Sequence, residues 1–128
     1  MAMVFDETYI RAGRTTGSID ELRELGMSGS AMVRRRVAEN YHTPLDVLRR
    51  LLVDPEPDVR AAVGLNPVVP YQMIACLLTD ESADVRFRLA ETSYLPDEVL
   101  RQLLTDENPY IASRAEMTIA RLANSRNH

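Results

Sequence analysis

The feature that most constrains this chain is a 26-residue period that needs no insertion or deletion. Three full units cover residues 33–58, 59–84 and 85–110, and a fourth opens at Ile111. Each full unit repeats a Val-Arg pair, a proline, a Leu-Leu pair and an aspartate at the same spacing. A degenerate copy covers residues 7–32. An internal repeat of this kind predicts units that bury their apolar faces mainly against their neighbours.

One helix of each unit, which we call the Pro helix, follows Pro44, Pro70 or Pro96. In the first full unit, Thr43 has the chemistry of an N-cap, and a proline suits the first helical turn. Apolar residues then fall at positions i, i+1, i+4 and i+5, which gives the helix one apolar face. In the first full unit these residues are Val47, Leu48, Leu51 and Leu52.

The other helix, which we call the Val-Arg helix, contains the pairs that begin at Val33, Val59 and Val85. Ser30, Ser82 and Asn108 are at the equivalent N-cap positions. We expect this helix to be the shorter of the two and partly 3₁₀, because Asn66-Pro67 ends it in the second unit. Residues 111–123 contain no such breaker, so we expect one longer α-helix there.

The repeat is similar to a known family. Residues 51–86, LLVDPEPDVRAAVGLNPVVPYQMIACLLTDESADVR, resemble the leucine-rich repeat variant (LRV) family. That family's unit has a D-P-x-P-x-V-R stretch, a V-A pair, a proline and an L-x-x-L-L stretch. The resemblance covers about residues 30–115. It implies a right-handed superhelix of α-helices alternating with short 3₁₀-type helices, without β-sheet, similar in style to HEAT and armadillo solenoids.

Together, the period and the resemblance predict an all-α, right-handed α-solenoid of about four two-helix repeats. We expect a single repeat domain over residues 1–128, with residues 7–32 as a degenerate N-terminal capping repeat and residues 111–128 as a C-terminal capping helix. A founding type of the LRV family carries an iron–sulfur cluster in a separate cysteine-rich segment. The single cysteine here, Cys76, lies inside a repeat, so the cluster is not carried over.

Composition restricts the classes of partner. Acidic residues outnumber basic ones by 19 to 15, and the net charge of −4 disfavours a nucleic-acid partner. The first residues lack the basic start and apolar run of a signal peptide. No stretch approaches the roughly 20 apolar residues of a membrane span. The sequence therefore favours a soluble, cytoplasmic protein that does not associate with a membrane.

We find no sequence motif for catalysis, phosphate binding or metal ligation. His42, His128 and Cys76 are not at any such spacing, so we predict neither an enzyme nor a bound cofactor. The recurring aspartates are Asp54, Asp80 and Asp106. Each one follows a Pro helix at the turn into the next helix, where a carboxylate accepts backbone N–H groups. We therefore predict that these aspartates fix turns and pair between repeats, and that they do not bind metal.

One row of side chains is a candidate partner-binding surface. It consists of Arg35, Arg36, Phe87, Arg88 and Arg114. In a HEAT-like stack these residues would share the concave face with Glu39 and Glu91. Arginine beside an aromatic ring is the composition of interface hot spots, and it suits a protein or an acidic peptide. The alternatives are a solvated face with local Arg–Glu pairs and, against the net charge, a nucleic-acid surface.

A second candidate surface lies on the Pro helix of the middle unit. Its outward positions are Tyr71, Ala75 and Cys76, where the neighbouring units have mostly charged residues. An exposed apolar patch of this kind can mark an interface, so homodimerisation through it is a hypothesis. Ordinary variation between repeats is the alternative.

The function that the sequence favours is a non-catalytic repeat scaffold that binds a protein or peptide through its concave Arg/Phe face. Two alternatives stay open. One is a HEAT-like protein that binds or modifies nucleic acid, and the other is an accessory subunit of a larger enzyme. The sequence does not identify the partner or the pathway.

The self-association hypothesis makes a direct prediction. The wild-type chain should sediment as a dimer in analytical ultracentrifugation, and Tyr71→Glu should sediment as a monomer, because a carboxylate buried at an apolar contact loses its hydration. Sedimentation of both proteins as monomers would contradict the hypothesis.

Overall fold

The computed structural model describes residues 7–14 and 18–126. Over those residues all regular secondary structure is helical, with no β-strand, which confirms the all-α expectation. The chain divides into two compact units, Met1–Pro70 and Tyr71–His128. None of the helices in the described ranges combines the length and apolar character needed to span a bilayer. That the two units form one repeat domain stays a prediction.

The first unit contains five α-helices in its described residues. They are α1 (Glu7–Ala12), α2 (Ile19–Leu25), α3 (Ala31–Glu39), α4 (Leu45–Leu51) and α5 (Pro57–Gly64). The Val-Arg helices α3 and α5 pack against each other, and α1 packs on α3. Val33, Val37 and Ala38 form the buried face of α3, at the spacing that places them on one side of a helix.

The second unit contains four α-helices and one 3₁₀ helix in its described residues. They are α6 (Tyr71–Leu77), α7 (Ala83–Ala90), α8 (Asp97–Gln102), a 3₁₀ helix (Leu103–Thr105) and α9 (Pro109–Arg126). The α9 helix packs against α7, α8 and the 3₁₀ helix. It extends through the segment in which the sequence contains no breaker, so the prediction of one long final helix is confirmed.

The relative lengths of the two helices in a repeat differ from the prediction. The Val-Arg helices α3, α5 and α7 have 9, 8 and 8 residues. The Pro helices α4, α6 and α8 have 7, 7 and 6 residues. The prediction of a shorter, partly 3₁₀ Val-Arg helix is therefore wrong. The 3₁₀ geometry is instead found directly after α8, where the short helix Leu103–Thr105 leads into the loop. Asn66-Pro67 limits α5 only after two full turns have formed.

Capping also differs in part from the prediction. Ser30 is an N-cap, since its Oγ accepts the N–H of Val33 at 3.4 Å. Thr43 is not an N-cap, because α4 begins after Pro44. The buried hydroxyl of Thr43 instead donates to the carbonyl of Val37 at 2.7 Å, so it satisfies the end of α3.

The recurring arginines and aspartates connect one repeat to the next. In the first unit, Nη1 of Arg34 donates to the carbonyl of Ser28 at 2.8 Å. Nε and Nη2 of the same arginine donate to the carboxylate of Asp54 at 2.7 and 3.1 Å. Asp54 is buried, and its Oδ1 also accepts the N–H of Glu56 at 2.9 Å. The hydrogen bond with Asp54 raises the pKa of Arg34 above its ordinary value.

The second unit repeats this arrangement at the same spacing. Nη1 of Arg86 donates to the carbonyl of Asp80 at 2.5 Å. Its Nε and Nη2 donate to Asp106 at 2.8 and 3.4 Å, and Asp106 accepts the N–H of Asn108 at 2.9 Å. The prediction that these aspartates fix turns and pair between repeats is therefore confirmed for Asp54 and Asp106. Bidentate Arg–carboxylate pairs fix geometry as well as charge, so they set the separation of adjacent turns.

A second set of buried polar side chains also connects repeats, and the sequence did not reveal it. Nδ2 of Asn40 donates to the carbonyls of Ala12 and Arg14 at 2.9 and 2.8 Å. One period later, Nδ2 of Asn66 donates to the carbonyls of Ala38 and Asn40 at 2.9 and 3.1 Å. In each case Oδ1 accepts a backbone N–H two residues further on. Asn40 therefore satisfies the carbonyl end of α1, Asn66 satisfies that of α3, and each asparagine shapes its own loop.

Exposed ion pairs connect helices within each unit. Arg23 pairs with Asp46, which lies in the first turn of α4. Arg126, at the end of α9, pairs with Asp97 of α8 in a bidentate geometry, with both contacts at 3.0 Å. Hydrogen bonds from these arginines lower the pKa of Asp46 and of Asp97. Exposed pairs of this kind orient helices more than they stabilise them.

The buried asparagines yield a stability prediction. Asn66→Ala should lower the free energy of unfolding by about 3 kcal/mol, because it removes the amide partner of the buried Ala38 carbonyl and of the Val68 N–H, and one of the two hydrogen bonds to the Asn40 carbonyl. Urea denaturation monitored by circular dichroism measures the change. The matched control is Asn124→Ala on the exposed side of α9, for which we expect less than about 0.5 kcal/mol. Equal effects of the two substitutions would contradict the role of Asn66.

Candidate partner-binding surfaces

The predicted arginines of the first unit are engaged in local ion pairs. Both Arg35 and Arg36 lie on α3 and pair with Glu39 of the same helix. The Nε of Arg35 is 3.2 Å from Oε1 of Glu39, and Nη1 of Arg36 is 3.6 Å from Oε2. These are the (i, i+4) and (i, i+3) spacings at which helical side chains meet. The solvated-face alternative therefore describes this part of the row well.

Arg36 is further held by α1. Its guanidinium lies over the ring of Tyr9, with Cζ 5.3 Å from the ring centroid. Gly13 provides the space for this contact, because a Cβ at that position would lie 2.3 Å from Nε of Arg36. The side chain thus packs against the preceding repeat, and only part of it faces solvent. Arg36 contributes to the stacking of α1 on α3 as well as to the surface.

The predicted residues of the second unit form a compact pair. Phe87 lies on α7 and Arg114 on α9, and the two helices pack together. Cζ of Arg114 is 5.6 Å from the centroid of the Phe87 ring. Both side chains are half-buried, as is Arg88 beside them. The structure therefore brings together an aromatic ring and a cation that still face solvent, as the sequence suggested.

The row is interrupted in the middle repeat. Ala61 and Ala62 of α5 take the positions equivalent to Arg35 and Arg36, and they are 1% and 3% exposed. The candidate residues therefore fall into two groups, Arg35 and Arg36 in the first unit, and Phe87, Arg88 and Arg114 in the second. Each group is a surface of its own unit.

The second candidate surface lies on α6. Tyr71 and Cys76 are exposed, and Ala75 is half-buried. The hydroxyl of Tyr71 accepts a hydrogen bond from Nε2 of Gln102 at 3.2 Å, which orients the ring. The thiol of Cys76 is 3.5 Å from the carbonyl of Gln72, a weak helical contact. The patch is therefore an accessible, mostly apolar strip on one short helix.

A cleft in the second unit was not anticipated from the sequence. Its volume is about 360 Å³, and it lies between the turn after α6 and the turn after the 3₁₀ helix. The lining residues are Leu78, Thr79, Arg86, Gln102, Thr105, Asp106 and Glu107. Only the period offered a signal, since Thr79 and Thr105 are equivalent residues in successive repeats.

No group of three or more histidine, cysteine or acidic side chains in the described ranges is placed to hold a metal ion. Comparison of the chain with protein-family models, with characterised proteins and with solved structures finds no match. The geometry of the chain's own residues therefore carries the functional argument.

The glycine beside Arg36 yields a prediction. Gly13→Ala should displace the guanidinium from Tyr9, because the new methyl group would occupy its place. We expect the Arg36 Nε–H resonance in NMR spectra to move towards its random-coil position. The free energy of unfolding should fall by about 0.5–1 kcal/mol, the contribution of an exposed cation–π contact.

Gly29→Ala is the control, since nothing lies within 4 Å of its added Cβ. We expect it to leave the Arg36 resonance in place. An unchanged Arg36 resonance in Gly13→Ala would contradict the packing role of Gly13.

Proposed function

We propose that this chain is a non-catalytic scaffold of the LRV type, a right-handed α-solenoid that binds a protein or peptide. The repeated connections support the solenoid. Arg34 and Arg86 make the same three contacts 52 residues apart in the chain, a spacing of two periods. Asn40 and Asn66 repeat theirs after one period. Equivalent contacts at a fixed period are what a stack of identical units produces.

The single observation that carries the binding function is the contact of Arg114 with Phe87. The residues that define the repeat have internal partners, so they account for folding. Phe87 differs in residue type from its counterparts in the other repeats, and both Phe87 and Arg114 remain half-exposed. A solvent-facing aromatic ring capped by a guanidinium offers area, charge and a fixed geometry to a partner. A protein or acidic peptide that pairs with Arg114 and covers Phe87 is the partner we propose.

The proposed location of this scaffold is the cytoplasm. Tyr71, Ala75 and Cys76 remain the proposed surface for a homodimer, since two of the three are exposed. An accessory subunit of an enzyme would use the same chemistry, with the enzyme as the partner.

The experiment compares two arginines of α9. Tagged wild-type, Arg114→Ala and Arg121→Ala chains are used to capture partners from the native cell extract after nuclease treatment. The captured protein is then purified and titrated against each chain by calorimetry. Arg121 is exposed near the end of the same helix, so its substitution removes the same charge elsewhere.

We expect Arg114→Ala to weaken binding by about tenfold or more, as for a hot-spot residue, and Arg121→Ala to change it less than about twofold. Equal weakening by both variants would contradict the proposed site. Capture that disappears on nuclease treatment would favour nucleic acid instead.

A further inference from the structure

In the cleft of the second unit, the polar groups that are not engaged within the chain are mainly hydrogen-bond acceptors. Arg86 is its only cation, and each of its three side-chain nitrogens already donates, to Asp106 or to the carbonyl of Asp80. Asp106 in turn accepts from Arg86 and from the N–H of Asn108. The charges of Arg86 and Asp106 therefore offset each other, and neither group is available to pair with a ligand.

The remaining polar groups of the cleft are mainly acceptors. The exposed carboxylate of Glu107 has no hydrogen-bond or ion-pair partner within the described part of the chain. Gln102 donates through Nε2 to Tyr71 and to the carbonyl of Glu98, which leaves its Oε1 to accept. Thr105 donates its hydroxyl proton to the carbonyl of Gln102, so its oxygen also remains an acceptor. Glu107 thus sets the negative sign of the cleft.

The shape of the cleft and its acceptors select an organic cation. One free carboxylate is too few for a metal ion, and in the described ranges no group of three or more His, Cys, Asp or Glu side chains is placed to hold one. A lysine or arginine side chain instead brings several N–H donors on an apolar stem. Leu78 is the apolar residue among those that line the cleft, and about 360 Å³ is within the size range of pockets that hold small ligand groups.

We propose that this cleft receives an arginine or lysine side chain from a basic segment of a partner protein. The guanidinium or ammonium group pairs with Glu107 and donates to Gln102 Oε1 and the threonine hydroxyls. This site is separate from the Phe87–Arg114 surface in chemistry, since that surface presents a cation and the cleft presents an anion. The proposal therefore goes beyond the proposed function and does not depend on it.

The test uses the full chain and two synthetic probes. The first is the acetylated and amidated peptide Gly-Gly-Arg-Gly-Gly. The second replaces arginine with citrulline, which has nearly the same shape but no charge. Each peptide is titrated into ¹⁵N-labelled protein and followed by two-dimensional NMR. We expect the arginine peptide to shift the amide signals of Thr79, Gln102, Thr105 and Glu107, with a dissociation constant on the order of 1 mM.

We expect the citrulline peptide to bind at least about fivefold more weakly than the arginine peptide, because the charge is the main attraction. Glu107→Gln should weaken the arginine peptide by about fivefold while keeping the shape of the cleft. Glu116→Gln removes the same charge from the exposed face of α9, outside the cleft, and should change the affinity less than about twofold. Circular dichroism checks that both variants keep the helical content of the wild type.

Four results would overturn the proposal. They are the absence of shifts at the cleft, equal binding of the citrulline peptide, equal weakening by both glutamate substitutions, and shifts spread over the acidic surface without concentration at the cleft. None of these results bears on Arg114, whose variant is measured with a different partner, so the two proposals can fail independently.

Discussion

The structure depends on the contact between a buried or half-buried arginine and two turns at once. Arg34 binds the carbonyl of Ser28 and the carboxylate of Asp54, which are equivalent positions one period apart. The same side chain thereby sets the distance between two successive turns. Burying a carboxylate is costly unless it is paired and hydrogen-bonded, and Asp54 is both. The arginine and the aspartate must therefore occur together in each repeat that uses the contact.

In the first unit Asn40 and Asn66 bind the carbonyl ends of α1 and α3, and Arg34 binds the turn that precedes α3. A helix of eight or nine residues leaves a large share of its carbonyls without internal partners. Asn40 and Asn66 satisfy carbonyls of the preceding repeat, so the helix ends are closed by the next repeat along the chain. The arginines, aspartates and asparagines that recur with the period are thus engaged in contacts within the fold. The surfaces available for binding come from side chains that remain exposed or half-exposed, such as Phe87, Arg114 and Glu107.

The sequence predicted the helical class, the long final helix and the structural role of Asp54 and Asp106, because each follows from spacing alone. It did not predict the relative lengths of the two helices. A proline indicates where a helix ends, but it does not indicate how many residues the helix has before that end. Thr43 was misassigned for a related reason. Its residue type suits an N-cap, but its hydroxyl bonds to the previous helix, and only packing determines that choice.

What the sequence determined by itself is the period, and with it the set of side chains that must be equivalent. Periodicity is a property of spacing, so it needs no coordinates. The tertiary structure decided which side chains are accessible and which are paired. It placed Arg36 against Tyr9, buried Ala61 and Ala62, stacked Arg114 on Phe87, and opened a cleft at Glu107. The exposure and the pairing of these side chains depend on contacts between residues that are distant in the chain, and such contacts form only when the chain folds.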